Sequence, residues 1–392
     1  MTTAGCESAR HFFFSECFAA FNIFRTTPAC SNLDGPVPAN MNVLHVVGAR
    51  PNFMKVAPVL GALRGRPGVA QTLVHTGQHY DANMSEVFFQ QLGLPAPDVN
   101  LGVGSGTHAV QTAEIMTRLE PLVVERKPDI ALVYGDVNST SATALVCAKL
   151  GIRLGHVEAG LRSFDRSMPE EINRLITDQL SDLLFTPSED GDENLRREGI
   201  GREKIHRVGN VMIDSLVRLL PLAEKFSLSQ FPARYALVTL HRPSNVDDDA
   251  SLRGILESLQ EIGRRMAVVF PVHPRTRQRM ESLGAALNGV QVCGPLPYVE
   301  FLALQRRAAV VITDSGGIQE ETTYLGVPCI TLRGKTERPV TVSLGTNVLV
   351  GQDRRRLEEE FTRIFEGGGK RGQVPPLWDG HAAERIASIL CG

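Results

Sequence analysis

Five short segments hold most of the reactive side chains of this chain: Gly48-Ala49-Arg50-Pro51, Tyr134-Gly135-Asp136, His156-Val157-Glu158-Ala159-Gly160, Thr239-Leu240-His241-Arg242 and Thr313-Asp314-Ser315-Gly316-Gly317. Each ends an apolar run that reads as a strand, and in open parallel sheets that edge is where ligands bind. Two segments bring carboxylates and two bring Arg or His. The fifth is a small-residue turn whose backbone N–H groups can close on a phosphate. The combination points to acid–base chemistry on a phosphorylated small molecule.

Most of these residues also have a plainer reading. Arg50 has the forked geometry that pairs with phosphate, or it is a surface residue beside a helix start. Its segment is not G-x-G-x-x-G, which argues against a dinucleotide. Asp136 is a general base at a buried strand end, or the cap of a helix starting near Ser139. Glu158 stands where a turn is required, and Glu is a poor turn residue, so its position needs another explanation. Glu170 follows Pro169 in ordinary helix-start chemistry, with Ile172, Leu175, Ile176 and Leu183 as the buried stripe. His241 and His273 end neighbouring strands, where each is a phosphate donor, a proton carrier or a structural residue. Glu321 lies one turn into the helix after Gly316-Gly317, within reach of ribose hydroxyls. Gly102-x-Gly104-x-Gly106 reads as a flexible connection.

The elements that must position these groups alternate in type. Apolar runs at 43–47, 71–74, 130–134, 153–157 and 183–186 read as strands. Helical patterns fall near 54–64, 85–92, 108–125, 142–149 and 170–180. The second half repeats the scheme, with strands at 236–240, 267–272, 290–293, 310–313, 329–332 and 348–350. Its helices fall near 250–265, 298–307, 319–325 and 355–365. Strands separated by helices imply parallel βαβ units. The expected fold is therefore α/β, with two Rossmann-like doubly wound domains facing a cleft. The expected division is a leader at 1–40, a first domain at 41–207, a second at 208–375 and a C-terminal helix at 376–392. Met41 directly precedes the first strand, so translation is expected to begin there.

With 392 residues, 43% hydrophobic and 21% charged, and a net charge of −2, the composition is that of an ordinary globular chain. Neither general nucleic-acid affinity nor a membrane span is expected, so an anionic ligand must be held by local groups. The seven cysteines are scattered without a C-x-x-C pair, which indicates neither a zinc site nor a disulfide framework and fits a reducing cytoplasm. Cys147, Cys293 and Cys329 sit in apolar runs and read as core.

Taken together the segments resemble the non-hydrolysing UDP-N-acetylglucosamine 2-epimerases, over nearly all of Met41 to Ile389. The likeness rests on Gly48-Ala49-Arg50-Pro51 with Lys55, Gly77-Gln78-His79, Gly135-Asp136, His156-Val157-Glu158-Ala159-Gly160-Leu161-Arg162, Pro169-Glu170-Glu171-x-Asn173-Arg174, Gly209-Asn210, His241-Arg242, Asp314-Ser315-Gly316-Gly317-Ile318-Gln319-Glu320-Glu321 and Glu337-Arg338-Pro339, in the family's order.

The resemblance implies the two-domain fold of many nucleotide-sugar glycosyltransferases (the GT-B type) and a homodimer. It implies Asp136, Glu158 and Glu170 around the sugar, with His241 also in the catalytic set. Ser315, Gly316 and Gly317 would meet the phosphates of UDP, and Glu321 the ribose. Arg50, Lys55, His273 and Arg338 would complete substrate binding. Gln78 and His79 resemble part of a site where some members bind a second substrate molecule as activator. No cofactor and no metal is implied.

The loop Ser163-Phe164-Asp165-Arg166 and the run Pro339-Val340-Thr341-Val342 look closer to the branch acting on modified sugars such as UDP-diacetamido-glucuronate. Other readings on the same fold are a glycosyltransferase, a hydrolysing epimerase and a UDP-sugar-binding regulator.

Overall fold

Thirteen strands alternate with helices among the described residues, which in this computed structural model are 40–77, 91–284 and 287–392. The leader, Gln78, His79 and most of the expected helix Ser85–Leu92 lie outside them, as does the side chain of Arg50.

The first sheet comprises β1 Met41–Val47, β2 Val69–His75, β3 Val99–Asn100, β4 Ile130–Tyr134, β5 Arg153–Val157, β6 Leu183–Thr186 and β7 Ile205–Arg207. All pairs are parallel, in the order β3-β2-β1-β4-β5-β6-β7. The second sheet comprises β8 Tyr235–Thr239, β9 Ala267–Pro271, β10 Val290–Cys293, β11 Val310–Thr313, β12 Cys329–Thr331 and β13 Asn347–Leu349. It too is parallel, in the order β10-β9-β8-β11-β12-β13.

Both orders reverse direction beside a central pair, β1/β4 in the first sheet and β8/β11 in the second. Chains leaving such a pair diverge to opposite faces and open a crevice at the carboxyl edge. Asp136 stands just after β4, while His241 and Asp314 follow β8 and β11. The alternation of side chains explains why these strands are apolar throughout. In β4 all five residues are buried. Leu132 and Tyr134 pack with the helix Arg50–Leu63, and Ala131 and Val133 pack with the opposite layer, including Leu119 and Cys147.

The short strands β3 and β7 and the helices Glu189–Arg197, Val211–Glu224 and Pro274–Ser282 go beyond the sequence expectation. Cys147 and Cys329 are buried, but Cys293 is only partly so, because β10 is an edge strand.

The chain crosses once between the sheets after β7 and returns at its end. Asn210 caps the helix Val211–Glu224, its side-chain oxygen accepting the Met212 N–H at 2.9 Å. The closing helix Ala382–Cys391 packs back on the first-sheet layer through Ile386 and Leu60. Its first two N–H groups, of Ala382 and Ala383, donate to the Asp214 carboxylate at 3.1 and 2.7 Å. No helix among the described residues is long and apolar enough to cross a membrane.

Asp214 supplies acceptors for helix-start donors that are otherwise buried without partners. Asp214→Ala is expected to lower unfolding free energy by about 1–3 kcal/mol, read by chemical denaturation. An unchanged midpoint would show that water or a backbone shift satisfies those N–H groups.

Candidate active site

At the carboxyl edge of β1 and β4, one side chain ties the two strand ends together. Asn52 accepts the N–H groups of Gly48 and Ala49 at 3.1 and 3.0 Å and donates to the Tyr134 carbonyl at 2.7 Å. The chain then turns through Gly135 at φ +66°. A Cβ there would come within 2.5 Å of the Lys55 amine, so the position needs glycine both for its conformation and for space.

Asp136 follows. It does not cap the next helix, which starts at Asn138 with Val137 as its N-cap and no side-chain cap bond. Its carboxylate instead pairs with Arg174, while the Asn173 amide donates to the Asp136 carbonyl at 2.9 Å. Beside it lies a hollow of about 230 Å³ lined by Asp136, Glu170, His108, Gln111, Asn138 and Asn173. Glu170 is exposed at its rim.

Glu158 leaves β5 at φ +75°, a region that residues other than glycine and asparagine rarely enter. This is the explanation its position in the sequence called for. Held strain of this kind costs about 1–3 kcal/mol and persists where surroundings over-determine it. The carboxylate is nearly buried, with Lys55 against one oxygen and Arg338 Nη2 2.8 Å from the other. Lys55 is thus a buried partner of Glu158, and burial lowers its ammonium to about 8 against the pull of Asp136.

Across the cleft, Asp314 organises the second sheet's edge. It is fully buried and accepts the backbone N–H groups of His241 and Arg242 at 3.0–3.1 Å and the Asn245 amide at 3.1 Å. Burial works against its charge, but His241 and these donors hold its carboxyl below the usual range. The His241 ring nitrogen Nδ1 lies 3.0 Å from Asp314, and the side chain is 56% exposed. An N–H on Nδ1 leaves Nε2 as the outward-facing atom. His273 is also exposed, after β9.

Ser315 precedes the helix Gly316–Leu325 with no side-chain cap bond, so its first N–H groups remain available to a ligand. A Cβ on Gly316 would meet Arg338 Nη1 at 2.5 Å and Glu337 at 2.8 Å, which ties that glycine to the close approach of Arg338.

Arg338 joins the two edges. Besides Glu158 it pairs with Glu320 at 2.9 Å and with Glu337, which also takes Arg333 at 2.6 Å. Burial disfavours the charge on Glu337, yet Arg338 and Arg333 hold its carboxyl well below the carboxylate range. For Glu320 burial prevails and raises the pKa despite Arg338 and Lys55. Among the described residues no group of three or more His, Cys, Asp or Glu is placed to hold a metal ion.

The sequence reading inverted one helix. Pro169–Leu180 buries Glu171, Asn173, Arg174, Thr177 and Asp178, whereas Ile172 is 39% exposed and Leu175 and Ile176 only partly covered. The groups beneath it are charged or polar, so the polar stripe turns inward. Glu171 accepts the N–H groups of Ser163 and Phe164 at 2.9 Å and Arg174 Nη2 at 2.6 Å, which fixes both the 163–164 loop and the partner of Asp136. The legible signal was Glu171, Arg174 and Asp178 at spacings of three and four, which share one helix face.

Glu321 is buried too, accepting the Tyr298 hydroxyl at 2.8 Å, and burial raises its carboxyl to about 7. Its folded pKa thus lies above the ordinary 4.5. The stability it contributes is full below that ordinary value and is lost as pH rises through the folded one. Glu321→Gln removes this dependence while still accepting from Tyr298. The melting temperature of the variant relative to wild type is expected to rise between about pH 5 and about pH 8, by up to roughly 3 kcal/mol in stability. A constant difference across that range would show that Glu321 is ionised in the folded chain throughout.

Comparison with known proteins agrees with this geometry. The family model described as UDP-N-acetylglucosamine 2-epimerase matches residues 61–391. The UDP-N-acetylglucosamine 2-epimerase of Methanocaldococcus jannaschii is 42% identical over 364 residues, 89% of this chain and 99% of that protein. Its crystal structure in complex with UDP-GlcNAc and UDP superposes with a TM-score of 0.83, covering 89% of this chain and 99% of that one. The UDP-2,3-diacetamido-2,3-dideoxy-D-glucuronate 2-epimerase of Pseudomonas aeruginosa is 44% identical over 354 residues, 89% of this chain and 99% of its own. A lipopolysaccharide outer core galactosyltransferase, 14% identical with a TM-score of 0.51 over 89% of this chain and 99% of its own, shares the fold alone. A profile match across most of the chain and relatives above 40% identity leave one conclusion: the chain belongs to the UDP-N-acetylglucosamine 2-epimerase family.

Proposed function

We propose that this chain is an isomerase that interconverts UDP-N-acetylglucosamine and UDP-N-acetylmannosamine at C2 without hydrolysing them. The observation that carries the reading is the meeting of Asp136 and Glu158, at the ends of adjacent strands, with the basic groups around Arg338 at the opposite sheet edge. Carboxylates on one wall and phosphate-binding groups on the other suit a nucleotide sugar lying across the cleft.

The chemistry follows from the substrate. The C2 proton is not acidic, so direct inversion is slow. Elimination of UDP across C1–C2 removes that proton as the C1–O bond breaks and leaves a 2-acetamidoglucal. UDP then adds back at C1 while a proton is delivered to the other face of C2. The sequence balances without an external oxidant or reductant. Asp136 and Glu158 share the acid and base roles, with Glu170 assisting at the rim.

Ser315, Gly316 and Gly317 would cradle the diphosphate at the helix start, with His241, Arg338 and Arg50 as further donors and Glu321 toward the ribose. Lys55 and His273 complete the binding set. These donors stabilise UDP as it departs, which is where charge develops.

A homodimer is part of the same proposal, supported by the partly bare apolar face of Ile172, Leu175 and Ile176. The scattered cysteines support a cytoplasmic site. A second substrate reading, UDP-2,3-diacetamido-glucuronate, is supported by the 44% identity to the Pseudomonas aeruginosa enzyme.

A proton NMR time course with UDP-N-acetylglucosamine in D₂O is expected to give UDP-N-acetylmannosamine carrying deuterium at C2. Free sugar with UDP would overturn the non-hydrolysing reading. An unchanged spectrum, with turnover of the diacetamido-glucuronate substrate, would select the second reading. Asp136→Asn and Glu158→Gln are expected to keep UDP binding and to lose about 10²–10⁴-fold in kcat. Wild-type turnover in either would remove that carboxylate from the mechanism.

A further inference from the structure

Behind the two carboxylate-bearing turns lies a charged pair that substrate cannot touch. His156, in β5, and Asp178, in the helix Pro169–Leu180, are 0% and 1% exposed, with Nδ1 and Oδ1 2.6 Å apart. The other ring nitrogen, Nε2, lies 2.8 Å from the carbonyl oxygen of Gly135. A carbonyl and a carboxylate only accept hydrogen bonds, so both ring nitrogens carry N–H groups and the ring is an imidazolium, a state assigned from the acceptors it faces.

The second oxygen of Asp178 accepts the Gly160 N–H at 3.1 Å and pairs with Arg162 Nη1 at 2.7 Å. Arg162 is held in turn by a forked contact with Glu198 at 2.8 and 2.6 Å. Burial works against the Asp178 charge, but His156 and Arg162 outweigh it and keep the carboxyl below its ordinary range.

The two backbone groups held by this pair belong to different turns. The Gly135 carbonyl is the peptide that leads into Asp136, and the Gly160 amide closes the turn that begins at Glu158. Both turns run through left-handed backbone, at φ +66° for Gly135, +75° for Glu158 and +80° for Gly160. Conformations of that kind need surroundings that over-determine them. A buried ion pair is a poor device for stability alone, since well-packed apolar residues of similar volume are often as stabilising or more. Its directional contacts are what apolar residues would lack.

We propose that His156 and Asp178 are positioning residues for the epimerase reaction, locking the Gly135–Asp136 turn against the Glu158–Gly160 turn so that the two carboxylates keep a fixed spacing across sugar C2. The inference rests on the function proposed above. UDP is assigned mainly to the second sheet, so disturbing the pair leaves nucleotide binding in place and slows chemistry. Misplacing a reacting group by about 1 Å costs about 10²-fold.

Two measurements test it on the full chain. In wild-type protein with ¹⁵N-labelled histidine near neutral pH, one slowly exchanging ring with both nitrogens protonated is expected. If no buried ring carries two N–H groups, the pair is not charged and the proposal falls. In His156→Gln and Asp178→Asn, kcat is expected to drop about 100-fold with KM and UDP affinity close to wild type. The double variant should be no slower than either single one, as for residues acting as one unit. Wild-type kcat in a folded variant, or UDP affinity falling in step with kcat, overturns the positioning role. If the wild type itself does not epimerise, the proposed function fails on that control, and the ring spectrum still decides whether the pair exists. If both variants fail to fold, the wild-type spectrum decides alone.

Discussion

The contact between Arg338 and Glu158 is where two separately built sheets become one site. Both charges are buried. An uncompensated charge at this depth costs several kcal/mol, and removing one member of a buried pair typically costs 3–5 kcal/mol. Each therefore needs opposite charge around it, and the requirement spreads. Glu158 recruits Lys55 from the helix after β1, and Arg338 recruits Glu320 from the helix between β11 and β12 and Glu337 from the loop after β12. The strained turn at Glu158 and the glycine at 316 both follow from bringing these groups together.

The charge balance of that cluster bears on what it can bind. Lys55, Arg333 and Arg338 face Glu158, Glu320 and Glu337, three cations against three carboxylates. A diphosphate brought to it would need further positive groups or a rearrangement of those present. Arg242 is the obvious reserve. Its guanidinium donates Nε to the Asp314 carbonyl at 3.2 Å and stands 3.9 Å from the Glu337 carboxylate, and burial beside Arg333 makes its charge less favourable than usual. An arriving anion would relieve that cost.

Beneath the carboxylates, the inward-facing polar stripe of Pro169–Leu180 works as a rack. Glu171, Arg174 and Asp178 lie on one face and hold, respectively, the 163–164 loop, Asp136 and His156. One rigid helix thus sets the spacing of three groups that belong to three different segments. Supporting groups carried on a packed helix hold their partners more precisely than groups on loops.

Much of the fold was legible in the order of residues. The alternation of apolar runs with helical periodicity named eleven of the strands and the parallel α/β class, because a strand buried on both faces must be apolar throughout. β3 and β7 were not legible, since strands of two and three residues at a sheet's edge carry no pattern. The candidate residues were legible as residue types at strand ends: Asp136, Glu158, His241, Ser315 to Gly317. What they do there was not. Whether Asp136 caps a helix or meets Arg174, whether Lys55 waits for substrate or pairs with Glu158, and which face of Pro169–Leu180 is buried depend on partners carried by other strand–helix units, Arg174 lying 38 positions beyond Asp136 and Lys55 on the helix after β1. Hydrophobic periodicity reports how residues relate to water along one element. It carries no information on which buried charges will find each other, because that is settled only when long-range strand pairing brings their desolvation and their partners to the same place. The sequence by itself determined the architecture, the family and the strand edge on which the candidate residues stand; the tertiary structure decided the pairing of charges, since a buried charge is tolerable only where a partner from elsewhere in the chain stands within hydrogen-bond reach.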